Sequence, residues 1–158
     1  MSEQFGLNSQ KIRWGILGAA KIAREHLIPA IDKSECATLV AVSSRSVDKA
    51  RGLGEALGIR YHGSYEALLA DPEVDAIYNP LPNDLHVEWS IKALQAGKHV
   101  LCEKPLGLDA KDVSKLVKEM QNFPALVAME AFMYRSHPQW LPVKQLLEDR
   151  RIGRVRTV

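Results

Sequence analysis

The stretch LCEKPLGLD, residues 101–109, poses a chemical problem. An apolar run, His99-Val100-Leu101-Cys102, leads straight into Glu103, Lys104 and Pro105. A carboxylate and an ammonium driven into a core would each cost on the order of several kcal/mol. The pair therefore belongs where a strand opens onto a crevice. There a lysine with a lowered pKa can stabilise an oxyanion or join a proton relay, and the neighbouring glutamate can orient the ammonium. A cis Lys104–Pro105 bond would give a sharp turn exposing Lys104.

Two further stretches carry chemistry. The turn Gly18-Ala19-Ala20-Lys21-Ile22-Ala23 is a degenerate match to G-x-G-x-x-G/A. Gly18 supplies the tight turn, Ala23 the close helix packing, and Ala20 stands where a second glycine would let the backbone approach a pyrophosphate. A helix that begins here offers free N–H groups and a positive dipole end to a diphosphate. The second stretch is Ser43-Ser44-Arg45-Ser46, with Lys49 one turn further on. An NAD site usually places a carboxylate at the end of this strand, for the ribose 2′-OH. Here a guanidinium that can grip a 2′-phosphate bidentately takes that place, beside a hydroxyl. The expected cofactor is NADP(H) in preference to NAD(H).

The elements that must position these residues follow from pattern. After a polar lead over residues 1–10, residues 12–18, 38–44, 74–80, 99–105 and 125–132 read as strands. Between them lie helical segments, with Pro29 expected to kink or end the first. Ser46, Ser64 and Asp109 are N-caps, and Asp112 stands like the acidic partner of a capping box. Val113, Leu116, Val117 and Met120 form an amphipathic stripe. A helix near 139–150 and a last strand, RVRTV over 154–158, complete the chain. Strands apolar on both sides, alternating with helices, predict an α/β fold: a doubly wound, mainly parallel, Rossmann-like sheet with helices on both faces. Its ligands sit outside the carboxyl ends of the strands.

Composition narrows the function classes. The 158 residues are 46% hydrophobic and 25% charged, ordinary for one soluble domain, here residues 11–158. A net charge of +2 makes no case for nucleic acid or a membrane surface. No apolar run approaches a membrane span, and the lead lacks the apolar stretch of a signal peptide. Cys36 and Cys102 make neither a metal-type spacing nor a disulfide framework, so no metal is expected and a reducing, cytoplasmic setting fits.

Three stretches, WGILGAAKIA, NPLPNDLHVEWSIKALQAGKHVLCEKPL and EAFMYRSHPQW, resemble the N-terminal domain of the Gfo/Idh/MocA oxidoreductases, from about residue 11 to 158. The similarity is greatest to members such as xylose and dihydrodiol dehydrogenases. The resemblance implies that Gly18, Ala20 and Ile22 line the pyrophosphate turn, and that Ser44 and Arg45, with Lys49, hold the 2′-phosphate. It implies that Asn79, Pro80, Leu81, Asn83 and His86 wrap the nicotinamide half, with Glu103 and Lys104 beside the nicotinamide ribose. Lys104 would act near the substrate's reacting oxygen and Arg135 would border the cofactor. The implied activity is NADP-dependent oxidation or reduction at a carbinol carbon of a sugar, polyol or dihydrodiol.

Family members run to roughly twice this length, as expected of two domains of ordinary size. Their second half supplies most substrate contacts, a catalytic histidine and the usual dimer surface. The chain is thus expected to be the cofactor-binding half alone, with the substrate wall absent and with RVRTV exposing an edge through which it could pair with a second copy. The alternatives are a non-catalytic NADP(H)-binding module and a dimerising interaction domain.

Overall fold

The computed structural model of the chain describes residues 11–157; the polar lead at 1–10 and Val158 lie outside them. The strands are β1 (Ile12–Leu17), β2 (Ala37–Ser43), β3 (Arg60–His62), β4 (Ala76–Asn79), β5 (His99–Cys102) and β6 (Ala128–Glu130). β3 carries no apolar run, and the sequence pattern does not mark it. All six pair in parallel, in the order β3-β2-β1-β4-β5-β6. This doubly wound order reverses between β1 and β4, and there a crevice opens at the carboxyl edge.

Alternate strand residues bury opposite faces. Ile16, Val42 and Tyr78 meet a core closed by α1 (Ile28–Asp32) and α2 (Val47–Leu57). Leu17, Ala41, Ile77, Val100 and Cys102 meet a second core, closed by α3 (Tyr65–Leu69), α4 (His86–Gln95) and α5 (Ala110–Met120). Trp89 of α4 packs edge-on to Tyr65 of α3, with ring centroids 4.9 Å apart. Both belong to this core, as packing residues. Three predicted caps form: Ser46, Ser64 and Asp109 side chains accept the N–H of Lys49, Ala67 and Asp112 at 3.4, 3.1 and 2.7 Å. Each contributes about 1 kcal/mol. The Asp112 carboxylate accepts from Leu108 N–H, one residue ahead of the cap. No described helix is long and apolar enough to cross a membrane.

The structure corrects three expectations. Pro29 does not end the first helix. The backbone widens into a π turn over Ala23–Leu27, with Ile28 N–H bonded to Ala23 O, and Pro29 follows as the second residue of α1. A widened turn accommodates a residue that has no N–H and that crowds the preceding turn. The predicted stripe of α5 is narrower than its spacing suggests: Leu116 is buried, but Val117 is 50% exposed because the helix packs along one side only. No strand forms over 154–157. A strand needs ladder partners for its backbone groups, and none of the described residues pairs with this run. Among the described residues β6 ends the sheet. Before that run, α6 (Trp140–Glu148) is exposed along nearly its whole length.

The amino edge of the sheet is closed by charge. Arg13 donates two hydrogen bonds to the Asp75 carboxylate, at 2.9 and 2.7 Å, and one to Glu73 at 2.8 Å. The Lys98 ammonium is buried and donates to the carbonyls of Asp71 and Val74 at 2.8 and 2.7 Å. Burial holds its pKa below the usual lysine range. Hydrogen bonding from Arg13 is the main cause that keeps the Asp75 carboxyl below its ordinary 3.8. A lowered carboxylate contributes stability that is present above 3.8 and lost as the pH falls through its folded value. Because the Asp75 side chain is 37% exposed, solvent screens the pair. Asp75→Asn should therefore cost about 1 kcal/mol at neutral pH in urea melts. The gap should narrow steadily in acid; a gap that persisted undiminished would contradict the assignment.

Candidate functional site

Parallel register gathers the predicted residues. At the carboxyl ends Leu17 stands opposite Ser43, Asn79 opposite Cys102, and Cys102 opposite Glu130. The next residue of each strand, Ser44, Gly18, Pro80, Glu103 and Ala131, therefore lies at one rim. The candidate site residues cluster at this rim: Asn79 ends β4, Ile22, Lys49 and His86 lie in the first turns of the helices that follow, and the rest fall on the loops and short turns between.

Gly18 adopts φ +79°, the left-handed region that disfavours any side chain. A Cβ there would also stand 3.2 Å from a methyl of Leu81, so the turn is a cradle that only glycine leaves open. Ala19 and Ala20 follow, half-buried, and the helix begins at Lys21. These small residues and the free N–H groups of a helix start fit a diphosphate. At the end of β2, Arg45 and Lys49 are exposed, while Ser44 is buried with its hydroxyl accepting Ser46 N–H at 3.2 Å. The nearest carboxylate in sequence, Asp48, is 90% exposed and lies 3.8 Å from Arg51. This end of the rim fits a phosphorylated ribose.

The loop after β4 differs from its expected role in two places. Asn79 is fully buried; its amide donates to His86 O at 3.0 Å and to Ser90 Oγ at 3.2 Å, and its carbonyl accepts Leu81 N–H at 3.3 Å. His86 is 1% exposed, with Nδ1 2.7 Å from Pro105 O and Nε2 2.7 Å from Leu81 O. Both side chains are satisfied within the protein and offer no free polar atom to a ligand. Pro80 and Leu81 are buried below the rim, and Asn83 is exposed at the start of the turn Asn83–Leu85.

The Glu-Lys-Pro segment also departs from expectation. Glu103 does not pair with the Lys104 ammonium. Its carboxylate is buried, accepting the Tyr78 hydroxyl at 2.6 Å and Lys104 N–H at 3.2 Å. Burial, with the Glu103 hydrogen bond, raises the Tyr78 phenol well above its ordinary value, so it remains a donor. Lys104 is exposed, not desolvated, and its ammonium has no hydrogen bond or ion pair among the described residues. The physical reason lies in the turn. The strand ends at Cys102, so Glu103 still points into the protein while Lys104 stands out over the rim. The Lys104–Pro105 bond is cis. Burial pushes the Cys102 thiol up to about 12, which suits a packed side chain and not a nucleophile. His99 opens β5 at the far edge, where Nδ1 accepts Val127 N–H at 3.0 Å. Arg135 is exposed in the turn Met133–Ser136 that follows β6, at the end of the same rim.

Beside the crevice a groove of about 300 Å³ runs over β4, β5 and β6, between the first helix and the turn after β6. Tyr78 and Glu103 line it together with Ile22, Met129 and Phe132. Two residues that hold the site escape the sequence reading. Tyr78 carries the Glu103 carboxylate, and Glu130 accepts Leu106 N–H at 2.8 Å. Glu130 carries the same signal as Glu103, an acid at the end of an apolar strand; Tyr78 reads as one more apolar strand residue.

The description of the GFO_IDH_MocA family, an oxidoreductase family with an NAD-binding Rossmann fold, matches residues 12–130. D-xylose 1-dehydrogenase (NADP(+)) 2 of Haloferax volcanii is 45% identical over 126 residues, covering 79% of this chain and 38% of that protein. Trans-1,2-dihydrobenzene-1,2-diol dehydrogenase of Xenopus tropicalis is 34% identical over 152 residues, covering 92% and 44%. The 3-ketoreductase KijD10 of Actinomadura kijaniata, in complex with NADP, superposes with a TM-score of 0.84 at 39% identity, covering 93% of this chain and 47% of that one. The chain thus spans less than half the length of these relatives. With the sheet order, the glycine cradle and the match over residues 12–130 in agreement, the chain belongs to the Gfo/Idh/MocA oxidoreductases, as their NAD(P)-binding Rossmann domain.

Proposed function

We propose that this domain holds NADP(H), in preference to NAD(H), for the oxidation or reduction of a carbinol carbon in a sugar, polyol or dihydrodiol. The observation that carries the cofactor choice is the end of β2. Arg45 and Lys49 are exposed there, and no carboxylate lies between Ser43 and Val47. Arg45 grips a 2′-phosphate, and the Gly18–Ile22 turn takes the diphosphate. Pro80, Leu81 and Asn83 border the nicotinamide half from the β4 side, and Arg135 borders it from the β6 side. When bound, the cofactor supplies or accepts the hydride. Lys104 presents a positive charge that holds developing negative charge on the substrate oxygen, and its Nζ takes up or releases the proton. Glu103 fixes the turn beneath Lys104. The substrate class is supported by the names of relatives that act on D-xylose and on a dihydrodiol. Two cysteines without a disulfide, one exposed and one buried, agree with a reducing compartment, and we place the protein in the cytoplasm.

Fluorescence titration tests the cofactor. NADPH should bind at least about tenfold more tightly than NADH, and Arg45→Ala should remove most of that ratio, as expected for loss of a charge-assisted phosphate contact. An unchanged ratio would refute the assignment. Lys104→Ala should leave folding stability within about 0.5 kcal/mol of the parent, because nothing in the fold leans on its ammonium. A loss of several kcal/mol in urea melts would show that Lys104 is part of the scaffold and not held in reserve for a ligand.

A further inference from the structure

Two loops flank the nicotinamide half in the reading above: the Pro80–Leu81 loop after β4 and the turn from Glu103 to Gly107 after β5. They are separate in sequence, and the last backbone hydrogen bond between the two strands runs from Glu103 N–H to Asn79 O at 3.0 Å, short of Leu81 and Pro105. Further out, one side chain bridges Leu81 and Pro105. His86, the first residue of α4, lies between them, 1% exposed, with Nε2 2.7 Å from Leu81 O and Nδ1 2.7 Å from Pro105 O. Each ring nitrogen thus faces one backbone carbonyl, one in each loop.

The surroundings hold the ring in place. Asn79 donates to His86 O at 3.0 Å and accepts Leu81 N–H, so the β4 loop is tied to the same residue twice. On the other side the turn packs hard onto the start of α4: a Cβ on Gly107 would lie 3.0 Å from a methyl of Val87. Glu130 fixes the turn from β6, through Leu106 N–H. The ring therefore sets the distance between the backbone on which Leu81 sits and the backbone that carries Lys104, next to Pro105.

We infer that His86 is a positioning residue that couples these two loops, so that they seat the nicotinamide half as one unit, without touching the cofactor itself. The inference rests on the NADP(H) reading, and its test separates the two. His86 lies far along the rim from Arg45, so its effect should be confined to one half of the dinucleotide. Calorimetric titration of the chain and of His86→Gln uses two probes, NADP⁺ and adenosine 2′,5′-bisphosphate, which carries only the phosphorylated adenosine half. The variant should lose about tenfold in NADP⁺ affinity, the scale of one broken hydrogen-bond link, and keep its affinity for the bisphosphate. Equal loss for both probes, or no loss for either, overturns the inference while leaving the cofactor reading intact. A parent chain that binds neither probe overturns both. Should His86→Gln fail to fold, amide exchange on the parent chain decides: NADP⁺ must slow exchange in 81–85 and 104–107 together, and protection of one segment alone overturns the coupling.

Discussion

The arrangement depends on a constraint of parallel sheets. The central strands bury side chains on both faces, and their polar side chains leave the core at their ends. With all six strands in parallel register, those exits fall in line. The amino edge is then closed by internal pairing, through the Arg13–Asp75 bidentate contact and the buried Lys98 ammonium on two carbonyls. At the carboxyl edge the side chains of Arg45, Lys49, Lys104 and Arg135 have no hydrogen bond or ion pair among the described residues. The stretch from Lys98 to Lys104 contains both solutions: one lysine is satisfied by the fold at the start of β5, and the other, exposed just past its end, has no side-chain partner among the described residues.

At the carboxyl edge the polar side chains divide into two kinds. Tyr78, Asn79, His86, Glu103 and Glu130 are wholly or partly buried and hydrogen-bonded to one another or to the backbone of the two central loops. Arg45, Lys49, Lys104 and Arg135 are exposed. The first kind sets shape and the second supplies charge. A buried network of this sort is stable only when each member is satisfied, and no described buried side-chain nitrogen or oxygen lacks a partner. Such a scaffold holds a site ready before a ligand arrives, which spares binding the cost of ordering its loops.

Much of this was legible in the sequence, because the signals are local. Apolar runs marked five of the six strands, small residues marked the turn at Gly18, and the caps at Ser46, Ser64 and Asp109 formed as read. What escaped depends on distance in sequence. β3 is three residues long and owes its place to pairing with β2, not to its own pattern. Glu103 was read with its chain neighbour, Lys104, whereas its partner is Tyr78, 25 residues away. The resemblance implies a cofactor contact for His86, but both ring nitrogens face backbone carbonyls that only the fold brings beside it. The run at 154–157 has the alternation of a strand, but no described strand lies beside it to pair with.

The most direct measurement is a crystal structure of the chain with NADP⁺ bound. The account predicts the diphosphate over the backbone of Gly18 to Ile22, the 2′-phosphate in hydrogen-bonding reach of Arg45, and Lys104 Nζ turned over the nicotinamide ribose. A dinucleotide seated at the Arg13–Lys98 edge, or one in the crevice with Lys104 pointing away into bulk water, would contradict it.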